Sequence, residues 1–346
     1  MNIQIFGTKK CSDTRKAERF FKERGIKYQF VDMKEKGMSK GEVTSVAQAN
    51  GGLENMINWE GKDKDTLALI KYIADEDKLA KILENPQVIK TPVVRNGKQS
   101  TLGYQPDIWK GWKWDMALWA MGDFHLAFSV DKPMEVFDPI WKNHEKKIQK
   151  YVTKCVKDTD TIVITGDHSW GRNLEECETD LKFIEELPGR KILLRGNHDM
   201  FWDAKKTARL NDSFEGRLQF LQNNYYNYGD YALVGTKGYC YEGKDSIEHF
   251  LKIREREGER LRISFDKAKA DGYSKFIMFL HYPPTTIGEQ ESPFTQIAEE
   301  YGAEQVIYSH CHGRERYDDS FKGEVNGIMY RLVSSDYLKF RPERIL

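Results

Sequence analysis

The sequence predicts an α/β protein built from two unlike domains, and three observations predict it. A chain of 346 residues is longer than a single hydrophobic core usually serves. Short β-rich runs alternate with amphipathic helical stretches, the pattern of sheets covered by helices. Beyond about residue 117 each β-rich run ends in a polar cluster, and open α/β sheets collect their ligands at the carboxyl ends of strands.

In the first domain, Met1 to Thr8 alternates and ends in a turn. Asp13 to Arg24 is an amphipathic helix closed by Gly25, and Ile26 to Val31 is strand-like, which makes a βαβ unit. Gly41 to Leu83 is helical in pattern with a break at Gly51-Gly52, and Val88 to Val94 is β-rich around Pro92. Pro106, Gly111 and the tryptophans Trp109, Trp112 and Trp114 mark a junction, and the boundary near Gly111 to Lys113 gives domains of residues 1–112 and 113–346. There is no internal repeat or low-complexity stretch, so the chain reads as a fusion rather than an array.

In the second domain the strand-like runs are Ala117 to Met121, Thr161 to Thr165, Lys191 to Arg195, Lys275 to Leu280 and Gln305 to Tyr308. Helical patterns fill Leu174 to Leu187 and Ser246 to Lys269.

Composition narrows the function classes. With 54 basic and 54 acidic residues the net charge is zero, so no general field draws in nucleic acid or an anionic membrane. No apolar run is long enough to span a bilayer, and the N-terminus lacks the layout of a signal peptide, which predicts a cytoplasmic protein. Five scattered cysteines, an odd number, predict free thiols in a reducing compartment.

The chemistry sits at the strand ends: Gly122-Asp123-Phe124-His125, Gly166-Asp167-His168, Gly196-Asn197-His198-Asp199, His281, and Ser309-His310-Cys311-His312. A single histidine in such a chain is most often a surface or core residue. Here six of the eight histidines fall in these clusters with Asp123, Asp167 and Asn197, and chance explains that poorly. Carboxylate, amide and imidazole donors suit hard to borderline divalent ions such as Mn, Fe and Zn. Asp123 and His125 lie two apart, as do His310 and His312, so on an extended segment each pair projects to one side. The preceding glycines are expected to let the backbone turn sharply.

This ordered series, D-x-H, GD, GNH followed by an acid, a lone H, then a small residue before H-x-H, resembles the calcineurin-like metallophosphoesterase superfamily, over nearly all of the second domain. The resemblance implies a four-layer α/β/β/α sandwich and two divalent ions. Asp123, His125 and His312 would hold one ion, Asn197, His281 and His310 the other, with Asp167 bridging. It further implies hydrolysis of a small-molecule or nucleotide phosphoester by attack of a metal-activated hydroxide on phosphorus, with His198 contacting phosphate and protonating the leaving oxygen. Two departures stand out. Ser309 replaces the usual glycine, and Trp170 stands where protein phosphatases of the superfamily carry an aspartate to orient the catalytic histidine, a role for which Asp199 is a substitute candidate.

Other residues carry weaker expectations. His168 reads equally as a residue that supports the site or faces the substrate, or as a hydrogen-bonded turn residue. Arg172 is a candidate phosphate contact, whereas Arg195 is expected in a structural ion pair. His144 is expected to pack or be solvated on a helix. Cys311, between two ligand histidines, is expected to point away from the metals.

In the first domain Cys11 stands between a strand and a helix, where the helix dipole stabilises a thiolate, although Ser12 or Asp13 could equally cap that helix with no redox purpose. Cys11, with Lys90-Thr91-Pro92-Val93-Val94 and Gly103-Tyr104 before Trp109, resembles the thioredoxin fold of the arsenate-reductase-like family that includes the Spx regulators, in which the proline is cis beside the cysteine. Thr91 replaces that family's oxyanion-binding arginine and Thr14 the second cysteine of the Spx type, which disfavours arsenate reduction. The reading that competes with a metal-dependent hydrolase is a thiol-redox or regulatory protein, using Cys11 and Pro92, with an accessory phosphoesterase domain. No feature selects an oligomeric state, or a monoester over a diester.

Overall fold

The computed structural model describes residues 3–24, 26, 28–112, 116–243 and 245–346. Gly25, Lys27, Lys113 and Trp114, on which parts of the helix, strand and boundary expectations fall, lie outside the described residues, as do Met1 and Asn2. The chain forms two compact units, residues 1–115 and 116–346.

The N-terminal unit is a thioredoxin-like domain. Strand β1 (Ile3–Gly7) leads through α1 (Ser12–Glu23) to β2 (Tyr28–Asp32), which pairs parallel to β1. Three helices follow, α2 (Lys40–Ala49), α3 (Lys64–Tyr72) and α4 (Asp75–Glu84). The antiparallel strands β3 (Val93–Asn96) and β4 (Gln99–Leu102) then complete a sheet of order β2-β1-β3-β4, before the short α5 (Pro106–Lys110). The Gly51-Gly52 break in the helical stretch is real: Gly51 has φ 80° and Gly52 φ 121°, conformations that side chains disfavour. Ser39 starts α2 with a reciprocal capping box with Glu42.

In the C-terminal unit, strand and helix alternate from β5 (Leu118–Met121) through α6 (His144–Cys155), β6 (Thr161–Ile164), α7 (Leu174–Glu186), β7 (Arg190–Leu194) and α8 (Thr207–Phe214) to β8 (Gln219–Leu221). A second run comprises β9 (Tyr225–Tyr228), β10 (Tyr231–Thr236), α9 (Ile247–Ala270), β11 (Lys275–Leu280), α10 (Pro293–Tyr301) and β12 (Ala303–Tyr308). The chain finishes with α11 (Arg314–Asp318), β13 (Gly323–Val325), β14 (Ile328–Leu332) and β15 (Glu343–Arg344). The two sheets have the orders β15-β5-β6-β7-β8 and β13-β14-β12-β11-β10-β9. Their central strands β5 to β7 and β10 to β12 are parallel.

The layers follow from strand alternation. On β11, Phe276, Met278 and Leu280 pack with Leu261 and Phe265 of α9, while Ile277 and Phe279 pack with Ala120, Val163 and Leu194 of the other sheet. On β6, Ile162 and Ile164 face Ile148 of α6 and Leu181 of α7, and Val163 joins the layer between the sheets. The result is helix, sheet, sheet, helix. All five expected strands of this unit are present within about two residues at each end. Strands β8 to β10 and β13 to β15, which no expectation covered, extend both sheets.

Candidate metal centre

Each donor loop starts where a parallel strand ends, and the loops knit to one another through the backbone. Asp123 N–H donates to Gly166 O at 2.9 Å, His125 N–H to Asp167 O at 2.8 Å, and Ser309 N–H to His281 O at 3.1 Å. Asp123 (φ 59°), His125 (φ 46°), Asp167 (φ 53°) and His310 (φ 70°) all occupy the left-handed region, which non-glycine residues seldom adopt. The expectation of extended segments is therefore corrected. Asp123 and His125 converge because two left-handed turns swing them together, and His310 reaches its partners the same way.

Two glycines are required for different reasons. Gly166 has φ 102° and a Cβ there would stand 2.5 Å from His281 Nδ1. Gly196 has no unusual φ, but a Cβ would stand 2.1 Å from Asp167 Oδ1, so close approach and not turning explains it.

The donors fall into two groups. Asp123, His125 and His312 offer ligand atoms within 4.8 Å of one another, and so do Asp167, His281 and His310. Asp167 Oδ2 lies between the groups, 3.8 Å from His125 Nε2 and 3.5 Å from His281 Nε2. Asn197 Oδ1 is 2.6 Å from His281 Nε2.

Proton placement decides what these atoms can do. His281 Nδ1–H donates to Thr165 O at 2.9 Å, His310 Nε2–H to Glu242 Oε1 at 3.1 Å, and His312 Nδ1–H to Asp336 Oδ1 at 3.0 Å. Each outer nitrogen thus keeps the proton, and each inner nitrogen presents a lone pair. Two of these inner nitrogens meet, His281 Nε2 lying 3.1 Å from His310 Nδ1, while His125 Nε2 lies 3.4 Å from His312 Nε2. Lone pairs so close repel unless a cation stands among them, so the donor set fits divalent metal. His125 Nδ1 is buried without a partner among the described residues.

The electrostatics agree. Burial, with the neighbouring Asp167 and Asp336 opposed by His312, pushes the Asp123 carboxyl up to about 7. Burial holds His125 and His281 well below the usual imidazole range, which keeps them neutral and able to ligate. His312 moves the other way. Against its burial, Asp123 and Asp336 raise it to about 9, so without a cation a proton on His312 takes over part of the charge a metal would supply.

His198 stands at the edge of the donor groups. Its N–H donates to Asp167 Oδ1 at 2.8 Å, and its half-buried ring lies 4.2 Å from the Trp170 ring, which also stacks on His125 at 5.0 Å. Asp199 does not orient it. Fully buried, Asp199 accepts the N–H groups of Gly196, His168 and Asp167 and the ring N–H of His168, the last at 2.9 Å. Burial alone would raise this carboxyl, but His168 and these donors hold it at about 2. His168 is therefore a fully buried strut held by Asp199.

The other candidates divide as follows. Arg172 is exposed on the loop after Trp170, its N–H donating to Glu176. Arg195 makes no ion pair among the described residues, contrary to expectation, and its Nε is buried without an acceptor. His144 packs in the core between the carbonyls of Trp141 and His125, at 3.0 and 3.2 Å. Cys311 turns into the outer core beside Tyr308, where burial pushes its thiol up to about 12. Glu242 and Asp336, which fix His310 and His312, had no place in the sequence reading. Asp336 follows an apolar strand, as the other clusters do, but β14 was not expected. Glu242 lies in a loop with no motif.

In the N-terminal unit Cys11 is the N-cap of α1, and the Thr91–Pro92 peptide beside it is cis. Thr91 Oγ1 donates to the sulfur at 3.5 Å. Burial would raise the thiol, but the Thr91 hydroxyl and the backbone N–H groups of Asp13 and Thr14 at the helix start lower it.

The family model described as calcineurin-like phosphoesterase matches residues 116–314, more than half of the chain. The chain belongs to the calcineurin-like phosphoesterase family. Its C-terminal unit is thus a phosphoester hydrolase domain of a family that uses divalent metal ions, and its two donor groups are where such ions could be held. The N-terminal unit of this calcineurin-like phosphoesterase matches the ArsC family over residues 6–111. The global transcriptional regulator Spx 2 of Oceanobacillus iheyensis is 28% identical over 136 residues, covering 34% of this chain and 98% of the regulator. Among solved structures, a protein of unknown function from Aquifex aeolicus, AQ665, is 19% identical with a TM-score of 0.37, covering 66% of this chain and 96% of its own. A putative ArsC-family protein from Bacteroides fragilis is 20% identical with a TM-score of 0.30, covering 32% and 96%.

Proposed function

We propose that this chain hydrolyses phosphoesters at a dinuclear centre. Asp123, His125 and His312 would hold one divalent ion and Asn197, His281 and His310 the other, with Asp167 between them. The observation that carries the reading is the convergence of imidazole lone pairs, each fixed by a proton held on the far side of its ring. The mixed oxygen and nitrogen donors suit Mn, Fe or Zn. When bound, two such ions acidify a water and neutralise the oxygens of a phosphoryl group in displacement.

The chain's own residues do the rest. Asp167 positions His198 through its backbone N–H, and the Trp170 ring, tilted against the imidazole at 4.2 Å, backs it, so that it can give a proton to the leaving oxygen. Arg172, exposed on the loop after Trp170, is the candidate contact for an entering phosphate. Small-molecule or nucleotide phosphoesters are the substrate class. The five free thiols favour a cytoplasmic setting, and no helix among the described residues is long and apolar enough to cross a membrane.

The test pairs metal analysis with hydrolysis of chromogenic aryl monoesters and diesters by the wild type, Asp167→Asn and Cys11→Ser. About two bound metals per chain and loss of turnover in Asp167→Asn alone support the reading. Metal-loaded wild type that turns over neither ester sinks it.

A further inference from the structure

Beside the donor groups stands a cluster of cations that hydrolysis as described does not use. Arg195 follows β7 and Lys237 follows β10, and these strand ends are pressed together between the sheets: a Cβ on Gly235 would stand 3.1 Å from Leu194 Cδ1. Lys237 is tied to the metal side, because its carbonyl accepts the N–H groups of His281 at 3.1 Å and Tyr282 at 3.0 Å. Its ammonium lies over the rings of Tyr239 and Tyr282, 5.3 Å from each centroid, and the Tyr282 ring lies 4.1 Å from that of His310.

Arg195, Arg256 and Arg260 are within electrostatic reach of that ammonium, and Glu257 is the carboxylate that opposes them. Glu257 is already engaged. Fully buried, it holds Arg260 at 2.6 Å and Arg256 at 3.6 Å through Oε1, and it accepts from Thr236 Oγ1 at 2.6 Å through Oε2. Among the described residues neither Lys237 nor Arg195 has a carboxylate within ion-pair distance, although both are half-buried and Arg195 Nε is fully enclosed.

Cations withdrawn from water without an anion are costly, and guanidinium and ammonium groups both match the oxygens of a phosphate. Aromatic rings favour the ammonium but leave its N–H groups free to donate. We infer that Arg195 and Lys237, backed by Arg256 and Arg260, form a second anion site that receives a non-scissile phosphate of the substrate. The preferred substrates then carry two phosphate groups, one cleaved at the metal centre and one held here. The location of the cleaved group rests on the hydrolytic reading; the anion site does not.

The test uses the full chain freed of metal by a chelator that is then removed, titrated calorimetrically at fixed ionic strength with inorganic pyrophosphate and with orthophosphate. Working without metal keeps chelation of the probe out of the signal. Pyrophosphate is expected to bind at one site. Lys237→Met and Arg195→Met should each weaken it by about tenfold or more, the scale of a charge-assisted hydrogen bond. Lys205→Met, at an exposed position elsewhere, should not change it, and Asp167→Asn should retain it. Lys237→Gln serves if the methionine variant fails to fold, and the wild-type titration stands independently. No pyrophosphate binding by the wild type, or binding unchanged in the folded Lys237 and Arg195 variants, overturns the inference. Binding that follows this pattern in a protein whose metal-loaded form cleaves no aryl phosphate would keep the anion site and remove the hydrolytic reading instead.

Discussion

The two units handle reactive side chains in opposite ways. In the C-terminal unit, donors from five loops meet, and three of the four histidine donors are braced: Glu242 on His310, Asp336 on His312, Thr165 on His281. In the N-terminal unit one thiol, Cys11, sits at a helix start with the Thr91 hydroxyl and the first backbone N–H groups of the helix beside it. A centre assembled from many residues leaves a pattern that accident does not imitate. A single polarised thiol leaves almost none.

That contrast breaks most sharply at Asp167. Asp167→Asn should lower aryl phosphate turnover about a thousandfold, the scale on which losing a key electrostatic group acts. If Cys11→Ser did the same, the division of labour between the units would be wrong. The next largest effect is on folding. Asp199→Ala leaves His168 and three backbone donors unmatched in a sealed interior and should cost about 3–5 kcal/mol by chemical denaturation.

Acid titration probes the same carboxylate. Its pKa in the folded chain, about 2, lies below its unfolded value, so its stabilisation is complete above pH ~4 and is lost as the pH falls through about 2. Asp199→Asn should flatten the acid limb of the stability curve over that window.

The bracing residues sharpen the comparison at smaller scale. Glu242→Gln and Asp336→Asn should each weaken metal binding by about 10–100-fold, read by metal titration, and excess metal should restore much of the activity. Trp170→Ala should lower turnover by up to about tenfold, the worth of an aromatic contact, while leaving metal content intact. The mildest effect belongs to the other unit. Cys11 should alkylate faster than glutathione at neutral pH, and modification should leave phosphoester turnover unchanged.

Much of this molecule was legible before folding, for identifiable reasons. Strands β5, β6, β7, β11 and β12 are apolar on both faces because they lie between two layers, so they read as continuous runs. Strand β9, Tyr225-Tyr226-Asn227-Tyr228, lies at a sheet edge with its first three residues only partly buried, and gave no such signal. The donors were readable because each ends a legible strand. Glu242 and Asp336 were not, since the segments that carry them are joined to the site only by the tertiary fold. Spacing also misled on cause: Asp123 and His125 do converge, but through left-handed turns that no alternation rule describes. Arg195 drew a structural assignment from its motif, whereas its guanidinium is left without an acidic partner among the described residues.

The four left-handed donors, Asp123, His125, Asp167 and His310, carry one further consequence. Each such conformation costs roughly 1–3 kcal/mol, and the surrounding strand ends and loop-to-loop hydrogen bonds meet that cost from within the protein. The cage is therefore rigid before any ion arrives. Metal exchange then behaves as substitution of ions in a fixed mould, limited by shedding of hydration water rather than by chain rearrangement. Stripping the ions should lower the melting temperature only by the mass-action share of their binding energy and leave the far-ultraviolet circular dichroism of the chain unaltered.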